Sequence, residues 1–440
     1  MFAKGLPLKQ ATFLTITVLL LTAYLYLPSR DANPNVREQN VKYILQWGDP
    51  SLSPFDFMGQ GFDAFLKNSC DFTNCFVTSD RNFLADVSEF DVIVFNGREV
   101  DRRFKKDNLP ANRSAKQKYV YANLESSHNY PVCSSYFNNF FNWTWTYKLN
   151  SDCRWGYITI YNLTGGVVGP KENMQWLTLD PIDNETKIVL KSKSKAAAWF
   201  VSNCHSLSNR ENFVRLVEKE LKKFGLSLDV YGKCGKFVCP RSTSEACLKV
   251  LARDYYFYFA FENSFAEDYV TEKLVTSLNS YAVPVVFGEA NYLRFLPPGS
   301  YLHAGQLGPE RLAERMARII TNHRTGDADL YHDFFRWRNH YTYKITSDTE
   351  DVCKLCRILN DQQLMSQETV YSNFTAWWNS RHARFVTAQP RKGADSACAA
   401  SDIAVISADI LSEPVGVDAL SHTQFLLGTY IGWDDDDDQK

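Results

Sequence analysis

Apolar residues recur along the chain in two blocks of short runs, separated by stretches with helical periodicity. The first block has strand-like runs at residues 41–47, 75–78, 90–97 and 118–125, and "GQGFDAFLKNS" between the first two reads as a helix. Short apolar runs at this spacing are typical of buried strands joined by crossovers. The block therefore predicts an α/β unit with a parallel sheet.

The second block begins near residue 187 and has a clearer βαβ pattern. Its predicted elements are a strand at 195–203, a helix at 208–225, strands at 226–232 and 256–261, a helix starting near Thr271, a strand at 282–288 and a helix behind Pro309. Ser208 or Asn209 would cap the first of these helices and Gly225 would end it. The fold class predicted is α/β, with two doubly wound Rossmann-like domains facing a cleft.

An uncharged stretch at residues 11–27 precedes both blocks. As a helix it would span about 26 Å, close to the hydrocarbon thickness of a bilayer. Lys4 and Lys9 lie before it, which favours a cytosolic N-terminus and a single-pass type II anchor over a cleaved signal. The predicted segments are a cytosolic tail (1–10), the transmembrane anchor (11–27), a stem (28–40), an N-terminal acceptor-side domain (41–170), a C-terminal donor-binding domain (171–385) and an appended, poorly ordered tail (386–440).

Glycosylation sequons and cysteines both indicate the secretory lumen. The chain has 11 cysteines, an odd number that leaves one unpaired if the rest form disulfides. The Cys353-x-x-Cys356 pair has the alternative reading of half a zinc site, although no second CxxC or HxxxH accompanies it. The sequons lie at Asn112, Asn142, Asn162, Asn184 and Asn373.

Composition and charge exclude one class of function. The 440 residues are 45% hydrophobic and carry a net charge of -2, without a long basic stripe. The electrostatic footprint of a nucleic-acid-binding protein is missing, so we expect no nucleic-acid partner. A small phosphate-bearing ligand is compatible with this composition.

Polar residues follow the predicted strands of the second block. In open α/β sheets, ligands bind beyond the carboxyl ends of the strands. Glu272 and Lys273 fall in the first turn of one helix and Arg210 in the first turn of another, where backbone amides and the helix dipole favour a phosphate. From these residues alone, an equally good interpretation is that Glu272 caps its helix and Lys273 extends to solvent, while Arg210 makes a surface salt bridge.

A carboxylate also ends a strand in the first block. Glu125 follows "KYVYANL" and is a candidate general base at the cleft, with His128 as the second candidate. Either residue could instead be a hydrogen-bonding group in a loop.

Ordered motifs in the second block resemble the signature of the α1,3/4-fucosyltransferases, which are inverting glycosyltransferases of GT-B architecture. The matching stretches are "FAFENS" (259–264), "DYVTEKL" (268–274), "VPVVFG" (283–288), "NY" (291–292) and "PPGSYLHA" (297–304). Upstream, "AAAWFVSNCHSLSNRENFVRLV" is similar to the family's βα unit and "FNWTWTYKLNSD" (141–152) to its first-domain motif. Together the similar stretches extend over residues 90–357.

The resemblance implies transfer of L-fucose from GDP-fucose to the 3-hydroxyl of a GlcNAc in an N-glycan, with inversion, by a Golgi membrane enzyme. Arg210 and Lys273 would hold the diphosphate and Tyr269 would hydrogen-bond to it. Glu272 would bind the ribose hydroxyls, Asn263 would help hold the donor, and Glu125 would be the base. No metal is expected to be obligatory, because the donor half has no Asp-x-Asp motif that must hold one, and stimulation by Mn²⁺ or another divalent cation is expected to be optional.

Departures from the family pattern lie in the acceptor half. Lewis-type members read Glu-Ser-Pro-Ser-His where this chain has Glu125-Ser-Ser-His128, and Tyr-Arg where it has Tyr147-Lys148. His128, Tyr147 and Lys148 are therefore the acceptor-side candidates. Cys353-x-x-Cys356 resembles members that act on the innermost GlcNAc, which ranks the core GlcNAc ahead of outer-arm LacNAc or LacdiNAc. Two further alternatives are a Golgi-resident member that binds glycan or nucleotide without turnover, and a phosphate-binding hydrolase.

Overall fold

Two parallel sheets and one small antiparallel sheet organise the chain. The structure is a computed structural model that describes residues 37–240, 242, 244–326, 329–346, 348–380 and Cys398. The strands are β1 Lys42–Trp47, β2 Cys75–Thr78, β3 Val92–Asn96, β4 Lys118–Asn123, β5 Trp143–Thr146, β6 Cys153–Arg154, β7 Ile158–Asn162, β8 Val167–Gly169, β9 Lys195–Phe200, β10 Leu228–Tyr231, β11 Tyr255–Phe261, β12 Val283–Phe287, β13 Leu302–His303 and β14 Tyr341–Ile345.

Helices connect and cover these strands. The α-helices are α1 Phe55–Met58, α2 Asp63–Lys67, α3 Asn184–Leu190, α4 Arg210–Lys222, α5 Ser244–Asp254, α6 Glu272–Asn279, α7 Ala304–Thr325, α8 Asp329–His332, α9 Asp348–Asn360, α10 Gln362–Ser366 and α11 Phe374–Trp378. Short 3₁₀ helices occupy Val87–Glu89, Lys106–Asn108, Ser135–Phe137, Tyr292–Arg294 and Asp333–Asn339.

The first sheet has the strand order β2-β1-β3-β4-β5-β6, and every neighbouring pair is parallel. Alternate residues of its strands enter different cores: Tyr43 and Leu45 pack on one face, while Ile44 packs on the other. Both faces are covered, so the strands read as continuous apolar runs in the sequence. The prediction of a parallel sheet in this block is confirmed, and the structure adds β5 and β6 to the four predicted strands.

The second sheet has the order β10-β9-β11-β12-β13 and is also parallel throughout. All seven residues of β11 are buried, as expected for a strand with neighbours on both sides. The prediction of two α/β units with parallel sheets is therefore confirmed. Because β9, β11 and β12 run in the same direction, the loops that follow them meet at one edge.

A third sheet, β14-β7-β8, is antiparallel and was not predicted. Its residues Ile158, Ile160 and Tyr343 share a core with Leu274 and Leu278 of α6. The antiparallel sheet therefore supports the helix whose first turn carries Glu272 and Lys273.

The last described helices return to the first sheet. Val352 and Leu355 of α9 pack in the core of its one face, and Phe374 and Trp378 of α11 in the core of the other. The sequence-based boundary placed this whole stretch in the domain 171–385. The packing of these helices on the first sheet differs from that boundary, because contacts between distant segments leave no periodic signal in the local sequence.

Disulfides reinforce this return. The bonded pairs are Cys70–Cys353, Cys75–Cys356, Cys133–Cys398, Cys204–Cys234 and Cys239–Cys247. Cys153 is buried and unpaired, which confirms the prediction from the odd cysteine count. The zinc alternative for Cys353-x-x-Cys356 is wrong, since both sulfurs form disulfides, one with Cys70 before β2 and one with Cys75 at the start of β2.

Some predicted segments fall outside the described residues. These are the cytosolic tail (1–10), the anchor (11–27), most of the stem (28–40) and, apart from Cys398, the tail (386–440). Within the described ranges, no helix has both the length and the hydropathy that crossing a bilayer demands.

The Cys70–Cys353 and Cys75–Cys356 disulfides should together be a large contributor to stability, because they close sequence separations of 283 and 281 residues and either one alone keeps the same segments joined. Removing both with Cys70→Ala, Cys75→Ala, Cys353→Ala and Cys356→Ala should lower the free energy of unfolding by about 2–5 kcal/mol. Chemical denaturation measures the change. Cys153→Ala is the control, as it removes a buried thiol without opening a loop; an equal loss for the control and the quadruple variant would contradict the prediction.

Candidate active site

Loops from the two parallel sheets meet at their carboxyl edges. The hydroxyls of Ser126 and Ser264 lie 2.6 Å apart, and the Phe265 amide donates to His128 Nδ1 at 3.3 Å. The Tyr269 hydroxyl donates to Glu125 Oε2 at 3.2 Å. The predicted base candidate of the first unit is therefore in direct contact with a predicted donor-binding residue of the second.

Glu125 is half-buried at the end of β4 and is held by several groups. Its backbone N–H donates to Asn123 Oδ1 at 2.9 Å, which fixes the turn out of the strand. Its Oε2 atom accepts from Asn129 Nδ2 at 3.1 Å, in addition to the bond from Tyr269. Two donors on one oxygen orient the carboxylate relative to the edge where the loops meet.

Tyr269 is positioned by an aromatic group. Its ring centroid lies 5.0 Å from that of Tyr147 and 5.9 Å from that of Tyr157, in edge-to-face contacts. The Tyr157 hydroxyl donates to the carbonyl of Leu124 at 2.6 Å. Burial raises the pKa of Tyr269 well above its usual value, so its hydroxyl remains a hydrogen-bond donor.

Residues 262–264 follow β11 and are polar but buried. The Glu262 carboxylate accepts from the Thr271 amide at 2.8 Å and from the Thr271 hydroxyl at 2.9 and 3.0 Å. Its Oε2 atom lies 3.3 Å from Lys273 Nζ. Glu262 thus joins the end of β11 to the first turn of α6.

Glu262 was not among the predicted site residues, although it lies inside the motif "FAFENS". Its position could have indicated a role, because Glu262 is the first residue after a fully buried strand, and a carboxylate can be buried there only if it has hydrogen-bonding or ionic partners. The partners are residues nine and eleven positions later, Thr271 and Lys273, and the irregular loop after β11 brings them into contact with Glu262.

Lys273 is buried between two carboxylates. Its Nζ donates to Glu272 Oε1 at 3.1 Å and to the Thr271 hydroxyl at 2.7 Å, besides the ion pair with Glu262. Burial alone would lower the pKa of Lys273, but Glu262 and Glu272 outweigh it and raise that pKa. Lys273 therefore carries a positive charge in the interior at neutral pH.

The two carboxylates around Lys273 differ in their environment. The Glu262 side chain is 2% exposed and that of Glu272 is 42% exposed. Burial raises the pKa of Glu262, with Lys273 acting against it. Burial also acts to raise the pKa of Glu272, but there the Lys273 ammonium prevails and that pKa is lowered.

Arg210 begins α4 and is completely buried. Its Nη1 atom donates to the Phe261 carbonyl at 2.7 Å, and its guanidinium lies 5.6 Å from the Trp199 ring centroid. Burial lowers the pKa of Arg210 to about 10, while Glu211 and Glu262 act in the opposite direction. The side chain is charged at neutral pH and influences Lys273 electrostatically, so both predicted phosphate-binding cations lie in one neighbourhood.

Asn263 is buried between the two loops of the second sheet. Its side-chain oxygen accepts from the Ser264 hydroxyl at 2.8 Å, and its carbonyl accepts from the Ser208 amide at 3.1 Å. The loop before α4 and the loop after β11 are therefore fixed to one another. This brings Arg210, Asn263, Glu272 and Lys273 to one edge of the sheet, as predicted from their placement after strands.

The acceptor-side candidates differ in their accessibility. His128 is half-buried at the junction of the two loops, and the hydroxyl of the buried Tyr147 accepts from the Ser127 amide at 3.3 Å. Lys148 is fully buried; its Nζ donates to the Trp377 carbonyl at 2.6 Å and lies 3.3 Å from Glu267 Oε2. Burial lowers the pKa of Lys148, opposed by Glu267.

Lys148 therefore lies in a buried ionic cluster with Glu267. Next to it, Asp268 accepts from the Leu149 amide at 3.2 Å and from Arg294 Nη1 at 2.8 Å. Asp268 has a left-handed φ of 59°, a strained value for a residue with a side chain. These contacts hold the turn that presents Tyr269 to Glu125.

The sequons occupy different environments. Asn112, Asn184 and Asn373 are exposed, and Asn162 lies at the hairpin between β7 and β8. Asn142 is half-buried: its Oδ1 accepts from the Tyr119 amide and its Nδ2 donates to the Thr369 carbonyl, both at 2.8 Å. A glycan on that nitrogen would disturb the contact with residue 369.

The part of the chain that the structure describes contains no group of three or more His, Cys, Asp or Glu side chains that could hold a metal ion. The charged groups at the site are instead two buried cations with carboxylates around them. This arrangement suits an anionic ligand that exchanges places with carboxylates.

Sequence comparisons place the chain among known proteins. Residues 39–158 match the family profile "Fucosyltransferase, N-terminal" and residues 190–400 match "Glycosyltransferase family 10 (fucosyltransferase) C-term". The alpha-(1,3)-fucosyltransferase C of Drosophila melanogaster is 35% identical over 313 residues, which cover 70% of each chain.

Two further relatives and one solved structure are similar to this chain. The glycoprotein 3-alpha-L-fucosyltransferase A of Drosophila melanogaster is 31% identical over 77% of this chain and 60% of its own length. A 4-galactosyl-N-acetylglucosaminide 3-alpha-L-fucosyltransferase of Pongo pygmaeus is 30% identical over 69% of this chain and 76% of its own. A crystallised alpha1,3-fucosyltransferase with GDP-fucose has a TM-score of 0.44 at 14% identity, and the similarity covers 79% of this chain and 99% of that one.

Glu262 and Glu272 contact the same ammonium, which allows a matched test of the buried ion pair. Glu262→Gln should reduce the free energy of unfolding by about 3 kcal/mol, because it removes the more deeply buried partner of a buried cation. Glu272→Gln should cost less than about 1 kcal/mol, since the partner removed is partly exposed. Equal losses in a denaturation experiment would show that burial does not distinguish the two carboxylates.

Proposed function

The chain belongs to glycosyltransferase family 10, the fucosyltransferases, and on that premise we propose that it moves L-fucose from GDP-β-L-fucose to the 3-hydroxyl of a GlcNAc in N-glycans with inversion. Membership makes the chain a glycosyltransferase. Beyond membership, we propose the identity of the donor, the acceptor and the base, and a GT-B mechanism that uses both domains.

One observation carries the proposal: the Tyr269 hydroxyl donates to Glu125 across the junction of the two sheets. This contact places a carboxylate beside the loop whose other end leads to Lys273. A base and a cationic anion-binding site are therefore part of one edge. A protein that only bound nucleotide would need the cations, whereas transfer also needs the base.

The donor diphosphate would interact with the two buried cations. Lys273 is at present satisfied by Glu272, the more exposed of its two carboxylates. On binding, the diphosphate takes that place and Glu272 turns to the ribose hydroxyls, while Glu262 continues to hold Lys273. Arg210 and the N-terminal amides of α6 add positive potential, and Asn263 and Tyr269 complete the donor contacts.

In the chemical step, Glu125 accepts the proton of the acceptor hydroxyl as its oxygen attacks the anomeric carbon of fucose. A bond forms between that carbon and the acceptor oxygen, and the bond to the GDP oxygen breaks on the opposite face, which inverts the configuration. The electron pair leaves with GDP, whose growing negative charge Lys273 and Arg210 stabilise.

The acceptor and the cellular location complete the proposal. The name of the relative from Drosophila, a glycoprotein 3-alpha-L-fucosyltransferase, favours a glycoprotein acceptor, and we rank its core GlcNAc ahead of outer-arm LacNAc or LacdiNAc. We further propose that residues 11–27 anchor the enzyme in the Golgi membrane with the catalytic region lumenal. No metal is proposed to be required, and Mn²⁺ is proposed to act at most as a stimulator.

Incubation of the full chain with GDP-fucose and two N-glycans tests the function. One glycan exposes only core GlcNAc, and the other carries outer-arm Gal-GlcNAc or GalNAc-GlcNAc. We expect mass spectrometry to find one added deoxyhexose, on the core glycan first. GDP binding without transfer would favour the non-catalytic alternative, and release of free fucose without an acceptor would favour the hydrolase.

Glu125→Gln tests the base. The amide keeps the size and the contact with Tyr269 but accepts no proton, so transfer should fall by about 10²–10⁴-fold. GDP affinity, measured by calorimetry, should be unchanged. Tyr269→Phe, which removes only the hydroxyl, should reduce the rate less. Normal transfer by Glu125→Gln would exclude this residue as the base.

Lys273→Ala and Arg210→Ala test the donor site. Each removes a cation from the neighbourhood proposed for the diphosphate, so GDP affinity should fall by about tenfold or more, as expected for a charge-assisted contact. Lys249→Ala, at a lysine whose side chain is 75% exposed, is the control and should bind GDP normally. Thermal unfolding must accompany the Arg210 variant because its guanidinium also donates to Phe261; unaltered affinity in both folded variants would refute the assignment.

A further inference from the structure

Arginines are concentrated at the carboxyl edge of the first sheet, beside Glu125. Arg81 follows β2, Arg98 follows β3, and Arg102 and Arg103 occupy the next turn. Arg81, Arg102 and Arg103 are exposed and Arg98 is half-buried. We refer to these four residues as the arginine surface.

Aromatic rings fix the guanidinium groups. Arg81 lies over the ring of Trp47, the last residue of β1, at 3.7 Å from its centroid. Arg102 and Arg98 lie 4.6 and 5.3 Å from the ring centroid of Tyr130. Stacked guanidiniums keep their N–H donors directed sideways and lose less conformational entropy when they bind a ligand.

The nearby carboxylates point inward. Glu99 is 5% exposed and accepts from Arg103 Nη1 at 2.7 Å and from the Asp49 amide at 2.8 Å. Asp101 accepts from the amides of Cys133 and Ser134 at 2.6 and 2.8 Å. Glu99 therefore pairs with Arg103 from the buried side and Asp101 serves the backbone, while the cations lie on the outside.

Two cations of the surface are close enough to affect each other. Partial burial beside Trp47 lowers the pKa of Arg81, the charge of Arg103 lowers it further, and Glu99 acts in the opposite direction. The single Glu99 carboxylate faces both arginines, so the pair keeps a net positive charge that a bound anion would offset.

The arginine surface is connected to Glu125. Arg102 Nη2 donates to the Asn129 carbonyl at 2.7 Å, and Asn129 Nδ2 donates to Glu125 Oε2 at 3.1 Å. Because the strands are parallel, Arg98, Arg81 and Glu125 all lie at the same edge of the sheet. Three strand spacings separate β2 from β4, or about 14 Å, which a glycan of a few sugars can span.

We propose that the arginine surface is a subsite for a negatively charged group, a sulfate or a carboxylate, on the acceptor glycan. This inference rests on the proposed function, since it extends an acceptor that is held at Glu125. Guanidinium forks match the paired oxygens of both groups. The enzyme would then favour acidic glycans over neutral ones of the same backbone.

Three acceptors that differ in one substituent test this subsite: neutral Gal-GlcNAc, its 3-O-sulfated form and its sialylated form. Both kcat/KM and direct binding by calorimetry are measured with the full chain. We expect kcat/KM to be about fivefold higher for an acidic form than for the neutral form at low salt, a preference that decreases as salt is added. Comparing the sulfated and sialylated forms shows which anion is preferred.

In the double variant Arg81→Gln, Arg103→Gln, kcat/KM should be about equal for the acidic and the neutral acceptors, because the preference for the acidic form is lost. Arg318→Gln, at an exposed arginine of α7, is the matched control and should retain that ratio. Transfer without any charge preference would overturn the subsite but leave the proposed function intact. If no acceptor is fucosylated, the binding arm decides: loss of acidic-glycan binding in the double variant alone supports the subsite, and equal binding by all chains rejects it.

Discussion

The burial of Lys273 beside Glu262 is the interaction on which the candidate site depends. A buried ammonium is tolerated only where carboxylates and hydroxyls replace its water, and here Glu262, Glu272 and Thr271 supply them. Glu262 comes from the end of β11, whereas the other two come from the start of α6. The ion pair therefore sets where the helix begins relative to the strand, and with it the turn that contains Tyr269.

In the first unit, the position of Glu125 is fixed by contacts with distant segments of the chain. Its sheet is closed by segments far away in the chain, with α9 bonded through two disulfides and α11 packed on the other face. The Trp377 carbonyl at the end of that return accepts from Lys148, which also pairs with Glu267 of the second unit. The relative position of Glu125 and Tyr269 thus depends on contacts among three separated stretches of sequence.

The sequence predicted most of what is local and missed what is distant. The runs that became β1 to β4, the βαβ unit around α4, and the polar residues after β11 could all be recognised, because burial of short apolar runs and residues after strands leaves a direct pattern. The pairing of β14 with β7, the return of α9 and the contacts of Lys148 depend on interactions across more than a hundred residues. The β7–β8 hairpin is local but was missed as well, because β8 has only three residues. Lys148 remains a predicted acceptor-side residue, and the structure adds that its side chain is buried in contacts with Trp377 and Glu267, which the sequence did not indicate.

The distribution of charge separates the two tasks of the site. Around Lys273 and Arg210 the charges are buried, so removal of one partner leaves the other uncompensated in a low dielectric, and the donor half has little freedom to vary. The arginines beside Glu125 are mostly exposed, where each contributes little to stability and mainly affects encounter and selection of ligands. If the proposed subsite is correct, changes at that rim would alter the choice of acceptor without unfolding the protein. The departures from the family pattern at residues 125–128 and 147–148 lie in this same half, as expected if the donor is fixed and the acceptor is what differs among relatives.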